Sequence, residues 1–116
     1  MTDIRLARPR PIKRPRLIGE MNRTEREYSF ILESRKRAGE IVDYRFEAIT
    51  LKLANNTRYT PDFYVLFEDR IELHEVKGGF WRDDARVKIK VAAAMFPEFA
   101  FIAALNKKKQ WIFVEF

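Results

Sequence analysis

Thr60-Pro61-Asp62-Phe63 and His74-Glu75-Val76-Lys77-Gly78 are the stretches on which the reading of this chain turns. They read as two short strands joined by a turn, with Asp62 opening the first and Glu75 and Lys77 closing the second. Folding about Asp69-Arg70 would set position 62 opposite position 77. Side chains alternate along a strand, and directly opposed residues share a face. Asp62, Glu75 and Lys77 would then crowd one face at the open end of a hairpin. Two carboxylates so placed repel each other. A hard divalent cation offsets that repulsion, because Mg²⁺ takes one or two carboxylates and keeps positions for water and phosphate.

Phe63, Val65 and Phe67 alternate with Tyr64 and Leu66, so both faces of the first strand are apolar, as expected of a covered central strand. Upstream, Asn22-Arg23-Thr24-Glu25 fits a capping box opening a helix from about Thr24 to Ala38, closed by Gly39. Glu25 shares a face with Tyr28 and Leu32, and two readings stand for it: a cap only, or a third carboxylate beside a metal. Between helix and motif, Val42, Tyr44, Phe46 and Ala48 alternate with Asp43, Arg45 and Glu47. The apolar phase then slips to Ile49, Leu51 and Leu53, which predicts a bulge or turn near Ala48. Asn55-Asn56 is a further turn signal.

After Gly78-Gly79, Asp83 or Asp84 is expected to cap a second helix ending at Phe96-Pro97. Ala85, Ile89, Ala92 and Phe96 form its apolar stripe, with Arg86 and Lys90 opposite. Lys88 falls within the apolar arc, so it either snorkels outward along its stem or points at the site. Phe99–Leu105 is a nearly continuous apolar strand, Asn106-Lys107-Lys108-Lys109 a basic turn, and Trp111–Phe116 a last strand. The element order predicts an α/β fold, a mixed sheet flanked by helices.

The composition narrows the chemistry. The 116 residues make one domain preceded by a tail. The chain has no cysteine and one histidine, which excludes disulfides, thiolate zinc sites and a histidine metal cluster within it. No apolar run reaches the roughly 20 residues that span a bilayer. The amino terminus lacks the apolar core of a signal peptide, so a cytoplasmic protein is expected. Residues 1–20 hold six basic residues against Asp3 and Glu20, a net of +4 out of the chain's +6. Pro9, Pro11 and Pro15 interrupt this stretch, which reads as a flexible basic arm for a polyanion, ahead of a domain over 21–116.

Pro61-Asp62 followed by Glu75-Val76-Lys77 resembles the signature of the PD-(D/E)XK nuclease superfamily. The longer run Tyr59-Thr60-Pro61-Asp62-Phe63, Glu75-Val76-Lys77-Gly78, Trp81, Asp83-Asp84 and Pro97-Glu98 resembles more narrowly the phage endonuclease I type, which resolves Holliday junctions. The likeness covers roughly residues 22 to 105. It implies a restriction-endonuclease-like fold and a Mg²⁺- or Mn²⁺-dependent endonuclease acting on branched DNA as a homodimer. It also implies a phage-encoded protein at work in the host cytoplasm, and an acidic residue on the first helix, which favours the metal reading of Glu25. The expected metal ligands are Asp62, Glu75, the Val76 carbonyl and Glu25, with Lys77 as the catalytic amine. Arg8, Arg10, Lys13, Arg14, Arg16, Arg86, Lys88, Lys90, Lys107 and Lys108 are the candidate phosphate contacts. Family members with a basic carboxy-terminal extension differ from this chain, whose basic arm lies at the other end. A structure-nonspecific or nicking endonuclease and a non-catalytic nucleic-acid-binding domain are the alternatives. His74, on the opposite face from Glu75 and Lys77, is expected to be structural, Glu72 solvated or paired, and Trp81 and Trp111 core or interface residues.

Overall fold

The computed structural model describes residues 19–116. The arm residues Arg8, Arg10, Lys13, Arg14 and Arg16 lie outside the described residues. Helix α1 spans Arg23–Arg37 and opens on the capping box read from the sequence. Asn22 Oδ1 accepts from the Glu25 N–H at 2.8 Å, and Glu25 Oε1 accepts from the Asn22 N–H at 2.8 Å. Its end is a Schellman turn, in which Glu40 N–H reaches Arg35 O and Gly39 N–H reaches Lys36 O. Gly39 sits there at φ +79°, a conformation that a Cβ would strain.

Strand β1 (Asp43–Phe46) stops at Glu47, whose φ is 48°. This is the turn that the phase slip near Ala48 foretold. β2 (Leu51–Ala54) and β3 (Thr57–Tyr59) form a separate two-stranded ribbon around Asn55-Asn56. Arg58 and Tyr59, which lead into the motif, thus belong to a strand. β4 (Phe63–Leu66) and β5 (Ile71–Lys77) make the motif hairpin. α2 (Asp83–Met95), β6 (Ala100–Lys107) and β7 (Gln110–Glu115) complete the chain. The main sheet has the order β1-β4-β5-β6-β7 and is mixed, β5 and β6 being parallel and the other pairs antiparallel. β6 runs on into the basic stretch, so the turn narrows to Lys108-Lys109, both with positive φ as a tight two-residue hairpin demands.

The expected caps of α2 shift by one residue. Arg82 is the N-cap and makes no side-chain cap bond, while Asp83 and Asp84 occupy the first turn. There they face the positive end of the helix dipole.

The sheet has a core on each face. Tyr28 and Leu32 of α1 pack on Phe63, Val65, Val76 and Ala104. Ile89 and Ala92 of α2, with Leu51 and Tyr59 of the ribbon, pack on Leu73 and Phe101. β5 therefore shows Glu72, His74 and Val76 to α1, and Leu73, Glu75 and Lys77 to the other layer. His74, 1% exposed, is held in the α1 layer. Its Nδ1 lies 2.7 Å from the Tyr28 hydroxyl and its Nε2 lies 2.8 Å from Glu72 Oε1. A carboxylate only accepts, so Nε2 donates to Glu72 and the Tyr28 O–H donates to Nδ1. Burial pushes the Glu72 carboxyl up, but the hydrogen bonds from His74 and Arg70 outweigh it and leave the group below its ordinary value. Among the described residues no helix is long and apolar enough to cross a membrane.

The Tyr28–His74 bond fastens α1 to β5, one turn of helix beyond Glu25. Tyr28→Phe keeps the ring contacts with Phe63 and Trp111 and leaves a buried imidazole nitrogen without its donor. Urea denaturation should show a loss of about 1–3 kcal/mol with an unchanged m-value.

Candidate active site

The hairpin register differs from the expected one by two residues. Phe63 pairs with His74 and Leu66 with Ile71, so the register continues to Asp62 opposite Glu75, not Lys77. The turn is centred on Glu68-Asp69, where the Phe67 N–H bonds the Arg70 carbonyl at 2.8 Å. A slip of two preserves the parity of a strand, so Asp62, Glu75 and Lys77 still share the end of the hairpin.

Pro61 shapes that end. The ladder would continue by pairing Pro61 with Val76, but proline has no N–H to give. The Asp62 side chain takes over: Oδ2 accepts the Val76 N–H at 2.7 Å. In an extended strand the N–H and C=O of one residue leave toward the same edge. The Val76 carbonyl thus points past the end of β4, where Pro61 offers no ladder donor. Pro61 thus gives no ladder donor to the carbonyl expected as a backbone ligand.

Three carboxyl groups meet here. Asp62 is 8% exposed, Glu75 9% and Glu25 3%. Glu75 Oε1 accepts from the Tyr59 hydroxyl at 2.8 Å, and Oε2 lies 3.3 Å from Lys77 Nζ. Glu25, carried in by the amino-terminal turn of α1, is in hydrogen-bonding contact with the Asp62 carboxyl. Glu25 closes the capping box and also stands beside the Asp62 carboxyl. Burial, then the charges of Glu75 and Glu25, push the Asp62 carboxyl up to about 8, against the pull of the Val76 N–H. Burial also raises Glu75, although Lys77 and Tyr59 oppose it. Burial and the Glu75 charge drive the Tyr59 phenol upward, so it stays protonated and donates.

Tyr59 belongs to the motif run, and the sequence gives it no role of its own. It supports Glu75 from β3, and recognising β3 as a strand would have been the signal, since its inward residue falls at 59. The hydroxyls of Thr50 and Thr60, 2.7 Å apart, tie the entry to β2 against the residue before Pro61.

Beside Lys77 opens a cleft of about 590 Å³, walled by Trp81, Arg82 and Lys88 among others. Lys88 is exposed on this wall and also borders a depression lined by Leu53, Val87 and Val91. Arg86 and Lys107 line an adjoining cleft, and the Arg86 guanidinium stands 5.5 Å from the Trp81 ring centroid. Lys90 borders a separate depression near Ala93 and Phe116. Lys108 is exposed in the β6–β7 turn. Trp81 and Trp111 are partly buried against the two cores.

Among the described residues no three acidic or histidine side chains converge closely enough to cage an ion by themselves. Each carboxylate is instead drawn to a protein donor, as given above. The donor chemistry nonetheless suits a hard cation. Mg²⁺ is commonly held by one or two carboxylates and completes its shell with water, and Asp62, Glu75 and the Val76 carbonyl offer that set. Compared with known proteins, the chain matches no family model and no curated sequence.

The charge imbalance has a measurable sign. A carboxyl raised in the folded chain keeps its proton on folding, so the folded state binds more protons than the unfolded one between about pH 4 and 8. Its stability contribution is complete below the unfolded value and is lost as pH rises through about 8. Metal-free protein should therefore melt lower at pH 8 than at pH 5, and millimolar Mg²⁺ should recover more at pH 8. Asp62→Asn keeps an acceptor for the Val76 N–H and removes the charge. It should flatten the pH dependence and stabilise metal-free protein at pH 8 by about 2 kcal/mol. Scanning calorimetry of both proteins across pH checks this; identical profiles would exclude a charge-strained site.

Proposed function

We propose that this chain is a Mg²⁺-dependent endodeoxyribonuclease of the PD-(D/E)XK kind, with a restriction-endonuclease-like fold. The observation that carries the proposal is the pairing of Asp62 with Glu75 across the hairpin end, with Lys77 on Glu75 at the mouth of a cationic cleft. The substrate follows from the cleft: Arg82, Lys88, Arg86 and Lys107 suit a phosphate backbone. The resemblance of the motif run to junction-resolving enzymes favours branched DNA, such as the Holliday junctions of DNA recombination. Two symmetric cuts need two such sites, hence a homodimer, and a cytoplasmic place of action follows from that substrate.

Phosphodiester hydrolysis requires a water to bond to phosphorus as the bond to the leaving sugar oxygen breaks. Bound Mg²⁺ supplies charge neutralisation at the phosphate and a more acidic water. Asp62, Glu75 and the Val76 carbonyl would hold it, and Glu25 would accept hydrogen bonds from its water shell. Lys77 sits one strand period beyond Glu75. It donates to a phosphate oxygen and offsets the negative charge that grows there. Tyr59 keeps Glu75 in one rotamer, and Asn22 does the same for Glu25.

A second reading, a domain that binds nucleic acid without cutting it, rests on the same cationic clefts, which bind phosphates whether or not a metal is held. Relaxation of supercoiled plasmid separates the two. The proposal expects cutting with Mg²⁺, none with EDTA, and a loss of at least about 100-fold for Asp62→Ala and for Lys77→Ala. Binding with no metal-dependent cutting would establish the second reading. Rates on a four-way junction, a linear duplex and a single strand, at one salt concentration, then fix the substrate. Equal rates on all three would remove the junction preference.

A further inference from the structure

Phe80 is 88% exposed, the most exposed of the large apolar side chains among the described residues. Leaving such a ring in water forgoes about 2 kcal/mol of burial. It stands three residues after Lys77, between two residues that are fixed. On one side, a Cβ at Gly79 (φ +124°) would stand 3.5 Å from the Asn106 carbonyl. One residue further back, a Cβ at Gly78 would stand 3.4 Å from Thr24 Oγ1, so this corner lies close against α1 and β6. On the other side, the Trp81 indole meets the Phe116 ring edge-on at 5.7 Å and carries Arg86 at 5.5 Å. The segment is anchored at both flanks while Phe80 projects from it.

Its surroundings are cationic. Phe80 forms part of the wall of the cleft that holds Lys77, Arg82 and Lys88, and also of the adjoining cleft of about 470 Å³ that holds Arg86 and Lys107. Asp83 and Asp84 also line these clefts, so five cations face two carboxylates. The centre of a protein–protein interface is depleted of charge, because each ion buried there must be desolvated. An apolar ring encircled by cations suits instead a polyanion that itself carries aromatic faces. Phenylalanine has no polar atom, so it reads no base edge; it offers a face for stacking. In a paired duplex the base faces are already covered by their neighbours. Only a base freed at a branch, flap or gap has one to give.

We propose that Phe80 is a stacking platform for an unpaired nucleobase adjoining the phosphate that Lys77 faces. The inference rests on the nucleic-acid reading above and adds to it the feature of the substrate that the protein detects. The cations on either side hold the flanking phosphates, and the ring selects DNA in which a base is free to leave the stack.

Binding in EDTA tests this without any cutting. The probe is a duplex with 2-aminopurine opposite an abasic site, compared with the fully paired duplex of the same length by fluorescence anisotropy. Wild-type protein should prefer the first probe and quench its 2-aminopurine emission. F80A should lose about tenfold on that probe and bind the paired duplex as before. F80W should retain both affinity and quenching. F80L, which keeps apolar bulk without a π-face, should behave as F80A does. Equal losses on both probes, wild-type binding by F80L, or a change of oligomeric state in F80A seen by sedimentation would each overturn the proposal. The last outcome would make Phe80 a contact between copies of the chain. Absence of cleavage with Mg²⁺ alongside Phe80-dependent quenching would remove the nuclease reading and leave this one standing. Cleavage without Phe80-dependence would do the reverse.

Discussion

The hydrogen bond from the Val76 N–H to the Asp62 carboxylate, 2.7 Å long, is the point on which the site is assembled. It exists because Pro61 cannot continue the ladder between β4 and β5. One substitution of side chain for backbone has three consequences. It ends β4, it fixes Asp62 in the plane of the sheet against β5, and it leaves the Val76 carbonyl facing the same space. Glu75 lies directly opposite Asp62 in the continued register, so the two acids cannot be separated without breaking the pairing above them. Burial in this corner keeps solvent from screening their repulsion.

The supporting parts serve that corner from both faces of the sheet. On one face α1 is fastened through Tyr28 to His74, and the capping box turns its first residues so that Glu25 reaches Asp62. On the other face the β2–β3 ribbon delivers the Tyr59 hydroxyl to Glu75, and α2 brings Lys88 to the cleft of Lys77. Neither helix carries the acids of the hairpin, yet each contributes one group to their surroundings.

Much of this was legible in the sequence, and the reasons differ by element. The capping box and Gly39 are short-range signals whose partners are only a few residues apart, and both ends of α1 fall within a residue of expectation. The shared face of Asp62, Glu75 and Lys77 rested on strand parity, which survives an error of two in register. The register itself did not survive, because Phe67 is drawn into the loop by its bond to Arg70 and by the Arg70 guanidinium 3.8 Å from its ring centroid. No local pattern encodes that choice. β3 was missed for a related reason: three residues are too few for alternation to show, and the ribbon is held by packing on α2 as much as by its own sequence. The cap of α2 was misplaced because Asp83 and Asp84 satisfy the dipole from inside the first turn, where no side-chain cap is required.

Strand β5 contains its own internal comparison. Both of its faces bury ionisable groups, two residues apart. On the α1 face, Glu72 and His74 are matched: the imidazole donates to the carboxylate, Tyr28 donates to the imidazole, and Arg70 neutralises the remaining charge. That network is complete, and Glu72 titrates below its ordinary range as a paired acid should. At the other face and end three carboxyl groups meet, and the Lys77 ammonium lies 3.3 Å from Glu75. Asp62 is left with neutral donors and like charges, and it holds its proton up to about 8. The same fold, on the same strand, therefore builds a hydrogen-bonded, ion-paired cluster on one face and gathers three carboxyl groups beside the cleft. A stabilising core would gain from filling the corner with apolar side chains, as β6 does at Ala103 and Ala104. A buried carboxyl that keeps its proton only because like charges surround it would release that proton to any cation bound beside it.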